Sequence, residues 1–136
     1  TLQDIGAKII FHKVAIKPGR PVLFAEFPDG PFVFGLPGNP VSTVVGMRFF
    51  VQPCLRELLG QPEESPFRCR LETGVDKPEK LRCFLKAWRR SVGDVEILPA
   101  QASFQIHSLL SSDCWAVLPE EGDHLDAGAE VDVYEA

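Results

Sequence analysis

The stretch Phe34-Gly35-Leu36-Pro37-Gly38-Asn39-Pro40-Val41-Ser42 ends one apolar strand, turns on two prolines and a glycine, and opens the longest apolar segment of the chain. It predicts strand, loop and helix in that order. Asn39 takes the N-cap position and Pro40 the first helical position, where its missing N–H costs nothing; Ser42 falls in the first turn. Such a turn leaves backbone N–H groups pointing out of the positive end of a helix, which suits it to an oxyanion. Read alone, the same residues also describe a well-capped helix after a tight turn and nothing more.

Working outward toward the N-terminus, residues 32–36 and 22–27 read as two short strands joined by the turn Pro28-Asp29-Gly30-Pro31. Ahead of them a strand is expected over 8–16, bending near His12, and the tail of a helix ending at Gly6. The stretch Lys13-Val14-Ala15-Ile16-Lys17-Pro18-Gly19-Arg20-Pro21 carries a second chemical hint. Lys13 and Lys17, four apart in a strand, point to one face, and Arg20 follows a turn fixed by Pro18 and Gly19. Three cations beside a helix N-terminus form an anion pocket; otherwise they are a solvated edge.

Toward the C-terminus, the helix is expected to run over 40–59, apolar nearly all round and therefore buried, with a kink at Pro53. Gly60-Gln61-Pro62-Glu63-Glu64-Ser65-Pro66 reads as a joint, dividing the chain into units at 1–62 and 63–136 that pack separately. Beyond it no helical period exceeds two turns, while apolar and polar residues alternate at 67–72 and 130–134. Strands at 67–74, 81–89, 95–98, 114–118 and 131–134 imply a small barrel-like sheet, with 101–112 as a polar loop holding at most a helical turn. The fold class is α+β: strand–helix alternation followed by an all-β unit.

Composition narrows the function. The net charge of −5 is uneven: residues 1–60 carry six Lys/Arg against four Asp/Glu, the remainder eight against fifteen. No basic stripe interleaved with aromatics appears, which argues against nucleic-acid binding, and no apolar run reaches membrane-spanning length. Cys54, Cys69, Cys83 and Cys114 lie far apart without metal-ligand spacing and read as reduced core residues of a cytoplasmic protein. His12, His107 and His124 read as structural. The chain begins at Thr1 and has one methionine, Met47, so a piece of a longer polypeptide is expected.

The two loops and the Val51-Gln52-Pro53 passage, in this order and spacing, resemble the C-terminal part of the MoeA family of molybdopterin molybdenumtransferases, the gephyrin E domain among them. The resemblance implies the last part of a three-layer α/β molybdopterin-binding domain followed by a β-clip barrel. It implies a cytoplasmic homodimer that inserts molybdate into adenylylated molybdopterin, releasing AMP, with a divalent cation such as Mg2+ whose ligands lie outside these residues. Carried over by motif, Lys13, Lys17 and Arg20 supply the basic element, and Pro37 and Pro40 frame the loop of Gly38, Asn39 and Ser42. An arginine of the family becomes Lys86, and a serine in a glycine loop becomes Ser103, flanked here by Ala102 and Phe104. No side chain is an evident nucleophile, so attack by metal-bound water or a molybdate oxygen is expected. With the metal ligands outside these residues the chain alone is expected to be inactive, and because about 60 residues are too few to bury both faces of a parallel sheet it is expected to self-associate. Two alternatives stand beside the transferase: a binding module for molybdate or molybdopterin without chemistry, and an interaction scaffold using an apolar groove between the halves.

Overall fold

The computed structural model describes residues 1–99, 101–102 and 106–136. A 3-10 turn at Gln3–Ile5 stops at Gly6 in the left-handed region. There follow β1 (Lys8–His12), β2 (Ile16–Lys17), β3 (Leu23–Glu26), β4 (Phe32–Gly35), α1 (Pro40–Gly46), a π turn at Met47–Val51 and α2 (Gln52–Leu58). The second half holds β5 (Phe67–Leu71), β6 (Val75–Asp76), β7 (Arg82–Ser91), β8 (Asp94–Ile97), α3 (Ile106–Ser111), β9 (Cys114–Leu118), β10 (His124–Leu125) and β11 (Glu130–Glu135).

Strands β1, β3 and β4 form a three-stranded sheet that is antiparallel throughout, and the 28–31 turn is the expected hairpin. Phe24 stacks on its cross-strand neighbour Phe34 at 4.7 Å, and Phe11 meets Phe50 of the π turn at 6.0 Å, so sheet and helix share a phenylalanine face. The parallel pairing expected in this half occurs elsewhere, in β2–β7 and β5–β8.

The strand expected over 8–16 divides in two. A bulge lies between Ile9 and Phe11, and Lys13 then adopts φ 65°, which ends the extended run. The Lys13 N–H donates to the Val22 carbonyl at 3.0 Å and the Val14 N–H to the Arg20 carbonyl at 2.9 Å, closing a loop. Ile16 and Lys17 then leave the sheet and pair with β7. Lys13 and Lys17 therefore do not share one strand face.

The helical rod also departs from expectation. Pro53 has no N–H, and its ring would press on the carbonyl four residues back; the backbone widens just before it, with the Gln52 N–H donating to the Met47 carbonyl. The irregularity is thus a π turn ahead of Pro53. Nor is the rod buried all round: Val41, Ser42, Val45 and Gly46 are buried, whereas Met47, Leu55, Leu58 and Leu59 face solvent.

All five strands expected in the second half are present, and they close into a barrel in the order β7-β8-β5-β11-β9, with β9 returning to β7. Alternate residues, among them Leu71, Ala87, Val95, Leu118, Val131 and Val133, fill the interior together with Cys69, Cys83 and Cys114. The outer faces of β7 and β9 are covered as well. Phe84 and Trp115 point away from the barrel interior into a second core with Ile16, Val41 and Val45. The expected boundary at 62/63 is therefore no break in packing, because this core is built from both halves.

Two charged anchors tie the loops down. Arg48 grips both oxygens of Glu64 at 2.8 and 2.6 Å and donates to the Glu135 carbonyl at 3.2 Å, so the 60–66 joint is fastened to the π turn and the last strand. Lys77, only 6% exposed, donates to the carbonyls of Pro78, Leu81, Glu120 and Gly122 at 3.2, 3.4, 3.1 and 2.7 Å, holding the β6–β7 and β9–β10 loops together.

Candidate functional site

The helix start forms as expected in position but not in its cap. Asn39 has the extended backbone of an N-cap and makes no side-chain cap bond; Thr43 closes the turn instead, its hydroxyl donating to the carbonyls of Pro37 at 2.5 Å and Asn39 at 3.0 Å. Pro37 and Asn39 are half-buried, Gly38 and Pro40 exposed, and open space surrounds the Gly38 α-carbon.

Against this turn lies the basic loop. At Gly19, φ is +104°, and a β-carbon there would sit 3.3 Å from Ile16 Cδ1 and 3.7 Å from both the Ser42 carbonyl oxygen and Val45 Cγ1. The positive φ is what calls for glycine here, and the loop lies in van der Waals contact with α1. The structure thus brings the stretch 13–20 against the first turn of α1, with Lys13, Lys17 and Arg20 exposed on it. Lys17 is fixed by its place in β2, opposite Cys83. Ser42 is buried at 7% exposure, so its hydroxyl is less accessible than a surface donor is expected to be.

Lys86, expected to touch substrate, is 1% exposed in this chain, and its Nζ donates to Ser108 Oγ on α3 at 2.5 Å. Gln101 brackets its backbone, accepting from the Lys86 N–H at 3.0 Å and donating to the Lys86 carbonyl at 2.8 Å. Desolvation pushes the Lys86 pKa down. Its burial follows from its strand: Cys83-Phe84-Leu85-Lys86-Ala87-Trp88 is a run apolar on both faces, the pattern of a strand covered on both sides. That pattern was the available signal that a lysine there is covered. Ser108 and Gln101, sitting in a polar loop, gave no such signal. Ser103 lies outside the described residues.

The three barrel thiols are poor nucleophiles. All four cysteines are free; burial pushes Cys69 and Cys83 up, and burial together with Asp113 pushes Cys114 up to about 12. Cys54, expected in the core, is half-buried on α2. Among the described residues no three His, Cys, Asp or Glu side chains converge on a metal position. No helix among them is long and apolar enough to cross a membrane.

A cleft of about 630 Å³ opens between the halves, bordered by Val14, Ala15 and Ile16 of the basic loop, with Phe49, Phe50, Phe84 and Tyr134 on its wall. None of residues 37–42 lines it. We place the candidate site at the anion loop and not in this cleft, because the loop combines exposed cations with a helix start.

Residues 1–57 match the family model of a probable molybdopterin binding domain, and residues 68–136 match that of the MoeA C-terminal region (domain IV). The chain is 43% identical over 133 residues to a molybdopterin molybdenumtransferase of Synechococcus elongatus, covering 97% of this chain and 33% of that protein. It is 30% identical over 139 residues to the one of Haemophilus influenzae, covering 97% and 34%. The chain thus spans about a third of the length of these relatives. A molybdenum cofactor biosynthesis protein of Pyrococcus furiosus superposes with a TM-score of 0.79 at 28% identity, over 95% of this chain and 45% of that one. The molybdopterin biosynthesis protein moeA of Pyrococcus horikoshii does so at 0.78 and 26%, over 94% and 32%.

Proposed function

Because the chain belongs to the MoeA family, we propose that it supplies the molybdate- and molybdopterin-facing loops of a molybdopterin molybdenumtransferase, which inserts molybdate into adenylylated molybdopterin and releases AMP. One observation carries the reading: Gly19 seats the loop 13–20 against the first turn of α1, and Lys13, Lys17 and Arg20 on that loop are exposed. Molybdate is a small dianion that water solvates strongly, so a site for it needs cations together with fixed N–H donors. Lys13, Lys17 and Arg20 provide the charge, the amides of Gly38 and Asn39 the fixed donors, and Pro37 and Pro40 hold that backbone open. Cleavage of the phosphoanhydride leaves negative charge on a phosphate oxygen, which the same cations stabilise. Ser42 and Ser103 add hydroxyls to this set, and Lys86 a further amine.

The whole enzyme is proposed to act as a cytoplasmic homodimer with Mg2+, and this chain by itself to release no AMP. Four free thiols agree with a reducing compartment. A second reading, an interaction scaffold, is favoured by the aromatic wall of the cleft between the halves. Titration of molybdate or tungstate into the protein and into Lys17→Ala tests the first reading. Loss of one charge-assisted contact should weaken binding by roughly tenfold or more. Equal affinity in both proteins overturns the site.

A further inference from the structure

We infer that Lys77 is a positioning residue for the basic loop: its caged ammonium fixes the Leu81–Arg82 peptide unit, and that unit holds the loop to the barrel through the Ala15 carbonyl. The inference rests on the reading above that the loop serves an oxyanion site.

An ammonium carries three N–H donors and no acceptor, and burying it is costly unless those donors are met. Lys77, 6% exposed, meets the carbonyls of Pro78 and Leu81 ahead of β7 at 3.2 and 3.4 Å, and those of Glu120 and Gly122 after β9 at 3.1 and 2.7 Å. Carbonyl dipoles thus surround the charge as they would a dehydrated monovalent cation. Two backbone bonds join the same loops, from the Lys77 N–H to the Asp123 carbonyl at 2.8 Å and from the Lys80 N–H to the Glu120 carbonyl at 3.0 Å. Glu120 closes the ring, since its carboxylate accepts from Arg82 at 3.1 Å.

The connection to the basic loop is one peptide plane. The Leu81 carbonyl and the Arg82 N–H belong to a single trans unit, so they point in opposite directions. Lys77 takes the carbonyl on one side; on the other, the N–H donates to the Ala15 carbonyl at 3.0 Å. A charge-assisted bond at the carbonyl polarises the unit and strengthens its N–H as a donor. The pairing of β2 with β7 starts from this bond, Ile16 beside Arg82 and Lys17 beside Cys83. A ladder of two residues has little hold of its own, so its place follows from where β7 begins. Tilting the 81–82 plane therefore moves Ala15, Ile16 and Lys17 together.

Hydrogen exchange followed by NMR is compared in the wild type, Lys77→Met and Lys77→Ala, with the Leu71 N–H, bonded to the Ala129 carbonyl at 3.0 Å, as reference. In Lys77→Met the Arg82 N–H should exchange roughly tenfold faster or more, while the Leu71 N–H stays within about twofold of the wild type. In Lys77→Ala, ethylammonium can enter the vacated cage and donate to it, and should restore protection at Arg82. Tetramethylammonium, which carries the charge without an N–H, should not. Molybdate affinity measured by calorimetry should fall roughly threefold to tenfold in Lys77→Met. Its salt dependence should stay as in the wild type, because no cation has left the anion's surroundings.

Unchanged exchange at Arg82 overturns the inference. Equal acceleration at Arg82 and Leu71 does so too, since Lys77 would then support the barrel as a whole, and so does rescue by tetramethylammonium as good as that by ethylammonium. A loosened Arg82 bond with undiminished molybdate affinity refutes the positioning role. If the wild type binds no molybdate, the site reading fails by itself, and exchange and rescue at Arg82 still decide whether the ammonium holds the plane. Should Lys77→Met not fold, Lys77→Ala is refolded with ethylammonium and the amine is then diluted away. Arg82 must lose protection before Leu71; simultaneous loss, or no refolding with the amine, refutes the inference.

Discussion

The barrel and the sheet-and-helix half solve the same problem differently. The barrel pairs both edges of each of its five strands and fills its interior with its own side chains. In the other half, β1 and β4 have no further strand partner among the described residues, and the rod leaves Met47, Leu55, Leu58 and Leu59 in solvent. Three of its buried side chains, Ile16, Val41 and Val45, are covered by Phe84 and Trp115 of the barrel. The loops that carry the candidate site therefore owe their placement to the seam, and the barrel is the body against which they are held.

One chemical change made in both regions gives the largest expected contrast. Leu118→Ala empties a fully buried position in the barrel core and should cost about 2–5 kcal/mol. Leu58→Ala trims a side chain that is 59% exposed, and its cost should stay within about 0.5 kcal/mol. Urea denaturation monitored by tryptophan fluorescence compares them. A loss at Leu58 rivalling that at Leu118 would break the contrast, and would mean that the rod's apolar face is covered in solution, as the expected self-association requires.

The same contrast explains what could be read from the sequence. Alternation at 67–72 and 130–134 was legible because one face of each strand meets the barrel core and the other meets water. The loop 37–42 was legible because Pro40 and Asn39 act locally, though no side chain makes the cap bond and the Thr43 hydroxyl donates back to the Asn39 carbonyl. What escaped depends on partners distant in sequence. The move of Ile16 and Lys17 to the barrel is decided by β7, about 65 residues on. A helix apolar on every side reads as buried, but burial of Leu55 and Leu58 needs a neighbour that the pattern cannot name. The family motif assigns Lys86 to the substrate, while the run 83–88, apolar on both faces, already marks its strand as covered.

A smaller effect is expected at the fastening between the regions. Arg48→Ala removes a two-pronged grip on Glu64 and a bond to the Glu135 carbonyl, in a partly exposed place, and should cost about 1–3 kcal/mol. The wild-type joint, bound by Arg48 and by Arg56 to the Pro62 carbonyl, should resist limited proteolysis; in Arg48→Ala cleavage should concentrate at 60–66. Wild type nicked there first would restore the picture of two separately packed units. The grip also has a pH signature. Hydrogen bonds from Arg48 lower the Glu64 pKa, so its contribution is complete above the ordinary glutamate value of about 4.3 and is lost as pH falls through the lowered folded value. Arg48→Ala should therefore flatten the acid limb of the stability curve below about pH 4.

The smallest effect belongs to the far end of the barrel, where the short β6–β10 pair carries an exposed ionic contact. His124 Nδ1 lies 2.6 Å from Asp76 and Nε2 lies 3.4 Å from Asp126. The hydrogen bond to Asp76 is the main cause that raises the His124 pKa. A raised folded value means that the charged imidazole contributes fully below the unfolded pKa of about 6.5, and that the contribution disappears as pH rises through the folded value. Exposure keeps this contribution small, because water and salt screen such pairs. Locally it should still be visible: the Lys77 N–H, bonded to the Asp123 carbonyl at 2.8 Å beside this pair, should exchange with solvent faster, relative to the intrinsic pH dependence of exchange, once His124 is neutral. An NMR titration of His124 in the wild type and in Asp76→Asn reads both points. In Asp76→Asn the His124 midpoint should fall, while the Lys77 carbonyl cage keeps the loops in place. An unchanged midpoint would show that the contact does not persist in solution, and loss of the β6–β10 pairing in the variant would show that the histidine, and not Lys77, holds this end of the barrel together.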